Sequence, residues 1–172
     1  MQGWARAEQG QVEEGIAQIR QGLAIHQAIG VGILQSYYLA LLVEVYGKAG
    51  QAEDGLAVLA EAPTVVDKSG ARFYEAELYR LKGELTLQNK APGPQATVEE
   101  AEACFLKALE IARKQQAKSL EVRASMSLAR LWQQQGKKAE AHRLLSDIYG
   151  WFTEGFDTKD LQKAKALLEA LS

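Results

Sequence analysis

Two histidines, one cysteine and a cluster of glutamates are the residues of this chain that could do chemistry. His26 and His142 stand far apart, with no cysteine beside either. Neither has a carboxylate at i+3 or i+4 to complete a zinc ligand set. Cys104 falls on the apolar stripe of a helical run, which marks it as a small core residue rather than a reactive thiol. As the only cysteine, it excludes an intramolecular disulfide and a cysteine-based zinc site. Glu99, Glu100 and Glu102 open a helix, where the dipole favours negative charge, so helix electrostatics explains them better than acid–base catalysis. Gly30-Val-Gly32-Ile-Leu-Gln35 begins like a dinucleotide-binding turn, but glutamine stands at the third glycine position and no strand precedes it. No Gly-Lys-Ser/Thr phosphate loop and no nucleophile–base pair is spelled out. The residues therefore predict no catalytic, metal or cofactor-binding site, and no cofactor.

The bulk composition agrees. Over 172 residues, 47% are hydrophobic and 24% charged, the balance of a globular domain rather than a disordered chain. The net charge is −2, which lacks the positive field that nucleic-acid binding needs. No basic segment followed by an apolar run opens the chain, and the longest apolar stretch, Tyr37 to Val45, is too short to span a bilayer. A soluble protein of a reducing, cytoplasmic compartment is expected.

Positioning side chains in such a chain falls to repeated helices. Four segments share one pattern, a turn followed by small residues that lead into bulky apolar ones. They begin at Gly10, Gly50, Ala96 and Gly136, and their small register marks are Gly15, Gly55, Ala101 and Ala141. The marks are spaced by 40, 46 and 40 residues, a repeat with one insertion. The insertion belongs in Asn89-Lys-Ala-Pro-Gly-Pro-Gln95, the strongest loop signal in the chain. After the third mark, Cys104, Phe105, Ala108, Leu109 and Ala112 continue the stripe at helical spacing. A second helical run precedes each later turn, over 34–48, 73–88 and 120–135. The reading is a partial first repeat over 1–30, a second over 31–66 and a third over 69–118 with its insertion at 89–95. A fourth covers 119–150, and a capping helix covers 157–172. Thr97-Val-Glu-Glu100 reads as a capping box, Ser119 and Thr158 as N-caps, and Pro63 as the stop of the helix through Leu56 to Ala62. The mid-helix glycines Gly15, Gly22, Gly55 and Gly83 are read as points where two helices approach closely.

These patterns resemble the tetratricopeptide (TPR) repeat. Leu39, Leu42, Val43 and Tyr46 followed by Gly55, Leu59 and Ala62 look like one unit. Ser125, Leu128, Ala129 and Trp132 followed by Ala141, Leu145 and Ile148 look like another. Gly83 with Ala101, Phe105 and Ala108 makes a third, with Thr86 where an aromatic is usual. The resemblance implies an all-α, right-handed superhelix of TPR-like hairpins with a C-terminal capping helix. Repeats of about 40 rather than about 34 residues imply longer helices. Two phrases, Arg72-Phe-Tyr-Glu-Ala-Glu-Leu-Tyr-Arg-Leu-Lys-Gly-Glu-Leu85 and Tyr149-Gly-Trp-Phe-Thr-Glu-Gly-Phe-Asp-Thr-Lys-Asp-Leu161, resemble the C-terminal tail of large bacterial signalling proteins. Those proteins join an adenylate/guanylate cyclase or other effector domain to an ATPase. The resemblance implies a non-catalytic regulatory scaffold that contacts proteins, or neighbouring domains of its own chain. A module that senses a ligand or peptide and regulates an attached effector is the alternative.

In TPR arrays the first helices of successive repeats line a concave groove. Carried over, that register nominates Tyr37, Glu44, Lys48, Arg80, Glu84, Arg123, Arg130 and Gln133, with Ala40, Glu77, Gln88 and Met126 beside them. The groove is then acidic near its middle and basic toward Arg123 and Arg130, which at i and i+7 form a fork for a carboxylate. A solvated face of paired charges is the plainer reading of the same residues. Trp151, Phe152 and Phe156 are expected to seal the end of the array. The N-terminal edge, near Trp4, is expected to pack on an earlier repeat or to self-associate.

Overall fold

The computed structural model describes residues 2–28, 34–70, 72–89 and 93–172. Nine helices and no strand occur among them: α1 (Gln2–Glu8), α2 (Val12–Ala28), α3 (Gln35–Lys48), α4 (Ala52–Ser69), α5 (Glu75–Gln88), α6 (Pro94–Lys114), α7 (Lys118–Gln134), α8 (Lys138–Tyr149) and α9 (Lys159–Leu171). Each helix packs on the next in sequence, the pattern of stacked hairpins. A second rule sets the curvature. The odd-numbered helices also pack on one another, α1 on α3, α3 on α5, α5 on α7 and α7 on α9. Among the described residues, no such contact joins α2, α4, α6 and α8. The even helices splay while the odd ones converge, so the odd helices form the inner face of a superhelix.

The turns explain why the hairpins repeat. Gly10, Gly50 and Gly136 end α1, α3 and α7 with φ of 91°, 71° and 80°, values that a Cβ disfavours. In each case the next residue's N–H donates back to a carbonyl five positions earlier, as from Gln51 to Tyr46 and from Lys137 to Trp132. Gln116 adopts the same conformation after α6 at φ 55°, without glycine's freedom.

Small residues then set helix-to-helix distance. A Cβ on Gly15 would lie 2.5 Å from the Gly3 carbonyl, and one on Gly55 would lie 2.5 Å from Leu85 Cδ1. On Gly83 it would lie 2.5 Å from the ring of Phe105. Phe105 is 1% exposed in that notch, a burial that contributes about 2–3 kcal/mol. Ala101 and Ala141 hold the matching positions, fully buried. Gly22 does not fit this explanation, because nothing lies within 4 Å of its would-be Cβ. The core is correspondingly serial. One apolar cluster centres on Leu42, Val43, Tyr46, Leu59 and Leu85, the next on Phe105 and Leu128, and the last on Leu145, Ile148 and Leu161.

Several local expectations need correction. Helix α4 runs through Pro63 to Ser69. Pro63 is exposed, so the helix gives up one backbone bond on its solvent side and continues. The capping box does not form, because α6 already starts at Pro94, where no N–H is needed. The Thr97 hydroxyl instead donates to the Gly93 carbonyl at 2.7 Å. Ser119 lies inside α7, whose N-cap is Ala117. Thr158 is the N-cap of α9, but its hydroxyl donates to the Gly155 carbonyl at 2.7 Å rather than accepting from the helix. The early start of α6 also places part of the insertion. The register mark is the fourth residue of α2, α4 and α8 but the eighth of α6, so one added turn accounts for four of the six extra residues. Residues 90–92 of the proposed insertion, and the turn at Gly30 and Gly32, lie outside the described residues. Trp151 and Phe156 do not seal the end: they are 58% and 45% exposed, while the half-buried Phe152 joins the last cluster.

Candidate functional site

A cavity of about 290 Å³ opens on the inner face, lined by all four of α3, α5, α7 and α9. Its floor is apolar, made by Val43, Leu81, Leu85 and Met126, each buried by packing between neighbouring inner helices. Its walls are charged. Glu44, Lys48, Arg80, Glu84, Arg123 and Arg130 all line it, together with Gln88, Ser127, Asp160 and Lys163. Six of the eight residues nominated by register thus converge on one groove. The helical period supplies this directly, because residues four or seven apart share a face.

Tyr37 and Gln133 fall outside it. Tyr37 is half-buried, edge-on to Tyr74 at 5.2 Å and to Tyr38 at 5.8 Å. Gln133 is half-buried near the end of α7, outside the lining. Glu77 and Ala40 do not face the groove either, being 3% and 2% exposed beneath it.

Buried Glu77 anchors the site's electrostatics. It accepts from Arg80 Nη2 at 2.8 Å and Nε at 2.9 Å, and from Arg123 Nη1 at 2.9 Å. Arg80 also pairs with Glu84, and Glu84 accepts from the Ser127 hydroxyl at 2.8 Å. Arg123 Nε meets Asp160 at 3.2 Å, and its Nη1 reaches the Tyr74 hydroxyl at 3.4 Å. One connected network therefore ties α5, α7 and α9. Burial opposes charge on Arg80 and Arg123, but Glu77, with Glu84 for the first and Asp160 for the second, outweighs it and holds both guanidiniums more firmly protonated than usual. The Tyr74 phenol is pushed up by burial and by Glu77. At the other wall, Lys48 pairs with Glu8 and with Glu44, the latter at 2.9 Å. Burial lowers its pKa, yet those partners more than compensate and raise it.

The expected carboxylate fork of Arg123 and Arg130 is not built. Arg123 is already occupied by Glu77 and Asp160. In the middle of the groove the carboxylates are engaged rather than free: Glu77 and Glu84 both pair with Arg80, and Glu77 also with Arg123. Sequence reasoning missed Asp160 and Lys163. Both belong to α9, which reads as a cap but occupies the position of the next inner helix. They flank the buried stripe Leu161, Ala164, Leu167 and Leu171, four or seven residues from its members, so no separate polar face on α9 singles them out.

Elsewhere the reactive side chains are committed to structure. Cys104 is 7% exposed, and burial pushes its thiol up, away from the thiolate. Trp132 donates from Nε1 to Glu102 at 2.7 Å, binding α7 to α6. His26 stacks on Tyr38 at 5.0 Å. Among the described residues, no group of three His, Cys, Asp or Glu side chains is placed to hold a metal. No helix there is long and apolar enough to cross a membrane. A second cavity, of about 710 Å³, lies on the outer face over α5, between α4 and α6. Leu56, Leu59, Val66 and Leu78 line it, and its rim charges are spent on each other, Arg72 on Asp67 and Glu75, Lys82 on Glu100 at 3.6 Å.

The fold is that of a TPR-like helical-repeat protein. Two solved structures of kinesin-light-chain-like, nearly identical TPR-like repeats from Podosopora anserina superimpose on 98% of this chain, spanning 81% of theirs. One, a single-substitution variant, gives a TM-score of 0.67 at 16% identity, and the other gives 0.59 at 19%. No family model and no curated protein matches the sequence.

Proposed function

We propose that the chain is a non-catalytic protein-interaction scaffold whose inner groove holds a segment of a partner protein or of a neighbouring domain. The supporting observation is convergence. Four successive inner helices deliver their polar faces to one open groove, over a floor already closed by packing. The two phrases at 72–85 and 149–161 support a finer reading, a cytoplasmic regulatory tail of a cyclase- or ATPase-type bacterial signalling protein. Self-association through the N-terminal edge belongs to the same proposal, and light scattering over a concentration series tests it.

Panning a displayed library of random 12-residue peptides against the chain tests the groove. Gln88→Trp puts bulk on the groove wall, and Lys107→Trp puts it on the exposed surface of α6. Selected peptides should lose roughly tenfold or more in affinity for the first variant, about 1.4 kcal/mol, and none for the second. Equal affinity for both would refute the groove. The outer cavity supports the alternative, a sensor of small apolar ligands. A ligand whose binding is abolished by Leu56→Trp, and not by Gln88→Trp, would favour it.

A further inference from the structure

We propose that the partner segment is acidic, and that Arg130 of α7 and Lys163 of α9 are the residues that select it. This rests on the groove reading and specifies its chemistry. Five cations line the groove: Lys48, Arg80, Arg123, Arg130 and Lys163. Three are satisfied from within, Lys48 by Glu8 and Glu44, Arg80 by Glu77 and Glu84, and Arg123 by Glu77 and Asp160. The groove's own carboxylates are spent in the same pairs. Arg130 and Lys163 are exposed and make no ion pair or hydrogen bond among the described residues. Counted with Glu77 beneath it and Glu8 beside Lys48, the groove sets five cations against five carboxylates, but unevenly: the two cations without a partner both lie at its α7–α9 end.

Unpaired cations gathered at one end attract carboxylates, steer their approach and repel basic segments. The lining comes from four helices in series and forms an open trough rather than a closed cup. It suits the side chains of a segment passing through better than a terminal carboxylate. Helix α9 then has two roles, covering the last apolar cluster with Leu161 and Leu171 and presenting Lys163 to the groove.

Fluorescence anisotropy with three labelled, C-terminally amidated 12-residue peptides, alternating Gly with Glu, Gln or Lys, tests this on the intact chain. At low salt the Glu peptide should bind at least about tenfold tighter than the Gln peptide, and the difference should shrink as salt rises. Arg130→Glu and Lys163→Glu should each weaken it by roughly fivefold or more, the upper range for an exposed ion pair. Arg130→Lys and Lys163→Arg should retain binding, as should Lys107→Glu on the outer face. Circular dichroism checks that each variant folds. Equal affinity for the Glu and Gln peptides, or charge reversals without effect, overturns the proposal. If panned peptides still respond to Gln88→Trp in that case, the groove survives and only its acidic preference falls. If they do not, both fall. Tighter binding by a Glu peptide with a free C-terminus than by its amidated form overturns the choice of side-chain carboxylates.

Discussion

The inner and outer faces of this array belong to one stack of hairpins, yet charge does different work on each. On the inner face, Glu77, Arg80, Glu84, Arg123, Ser127 and Asp160 form one network that crosses three helices and is partly buried. On the outer face, pairs such as Lys107–Glu110 and Lys82–Glu100 are isolated and exposed. The difference follows from curvature. Converging helices bring side chains of neighbouring repeats within reach, where water is scarce and each unpaired charge is costly. Splayed helices leave their charges in solvent, where pairing contributes little.

The largest expected effect breaks the inner network. Arg80→Met strands Glu77, 3% exposed, with only Arg123, and should cost about 3 kcal/mol in urea unfolding. Adding Glu77→Leu should recover part of that loss, because the stranded charge goes with it. A loss no larger than that of an exposed pair would remove the distinction between the faces.

Next come the glycines. Gly83→Ala forces a Cβ against Phe105 and should cost about 1–3 kcal/mol. Combined with Phe105→Leu, the same change should add little. Gly22→Ala meets open space and should stabilise by up to about 1 kcal/mol, since glycine is a poor helix former. Opposite signs for two mid-helix glycines would show that packing, not propensity, decides their value.

Glu121, 5% exposed, gives a pH-dependent case. Burial raises its pKa, but Lys118 and Arg113 outweigh burial and hold it below the ordinary 4.5. Its contribution is therefore complete above that value and disappears as acid titrates the carboxylate through its lowered pKa. Glu121→Gln should flatten the fall of stability with pH below about 4.5, measured by thermal unfolding across a pH series. The smallest effect is expected outside, where Lys82→Ala should change stability by less than about 0.5 kcal/mol.

Much of this architecture was legible in the residues. Turn glycines, small register marks and apolar stripes are local signals, and they located hairpins that the coordinates resolve one by one. Residues four and seven apart on a helix share a face whatever lies opposite, so most of the groove was legible too. What lay beyond the sequence was pairing between helices. Nothing in the spacing of Arg123 and Arg130 reveals that Glu77, from another helix, and Asp160, from what reads as a cap, claim the first and leave the second. Caps failed for a related reason. Thr97 and Ser119 are good cap residues, but helices starting earlier, at Pro94 and Lys118, left them inside.

Hydrogen–deuterium exchange with and without a panned peptide tests the central claim most directly. The account expects new protection along the inner helices, over 80–88 of α5 and 123–130 of α7, with α4 and α6 unchanged. Protection confined to α4 and α6 would contradict it.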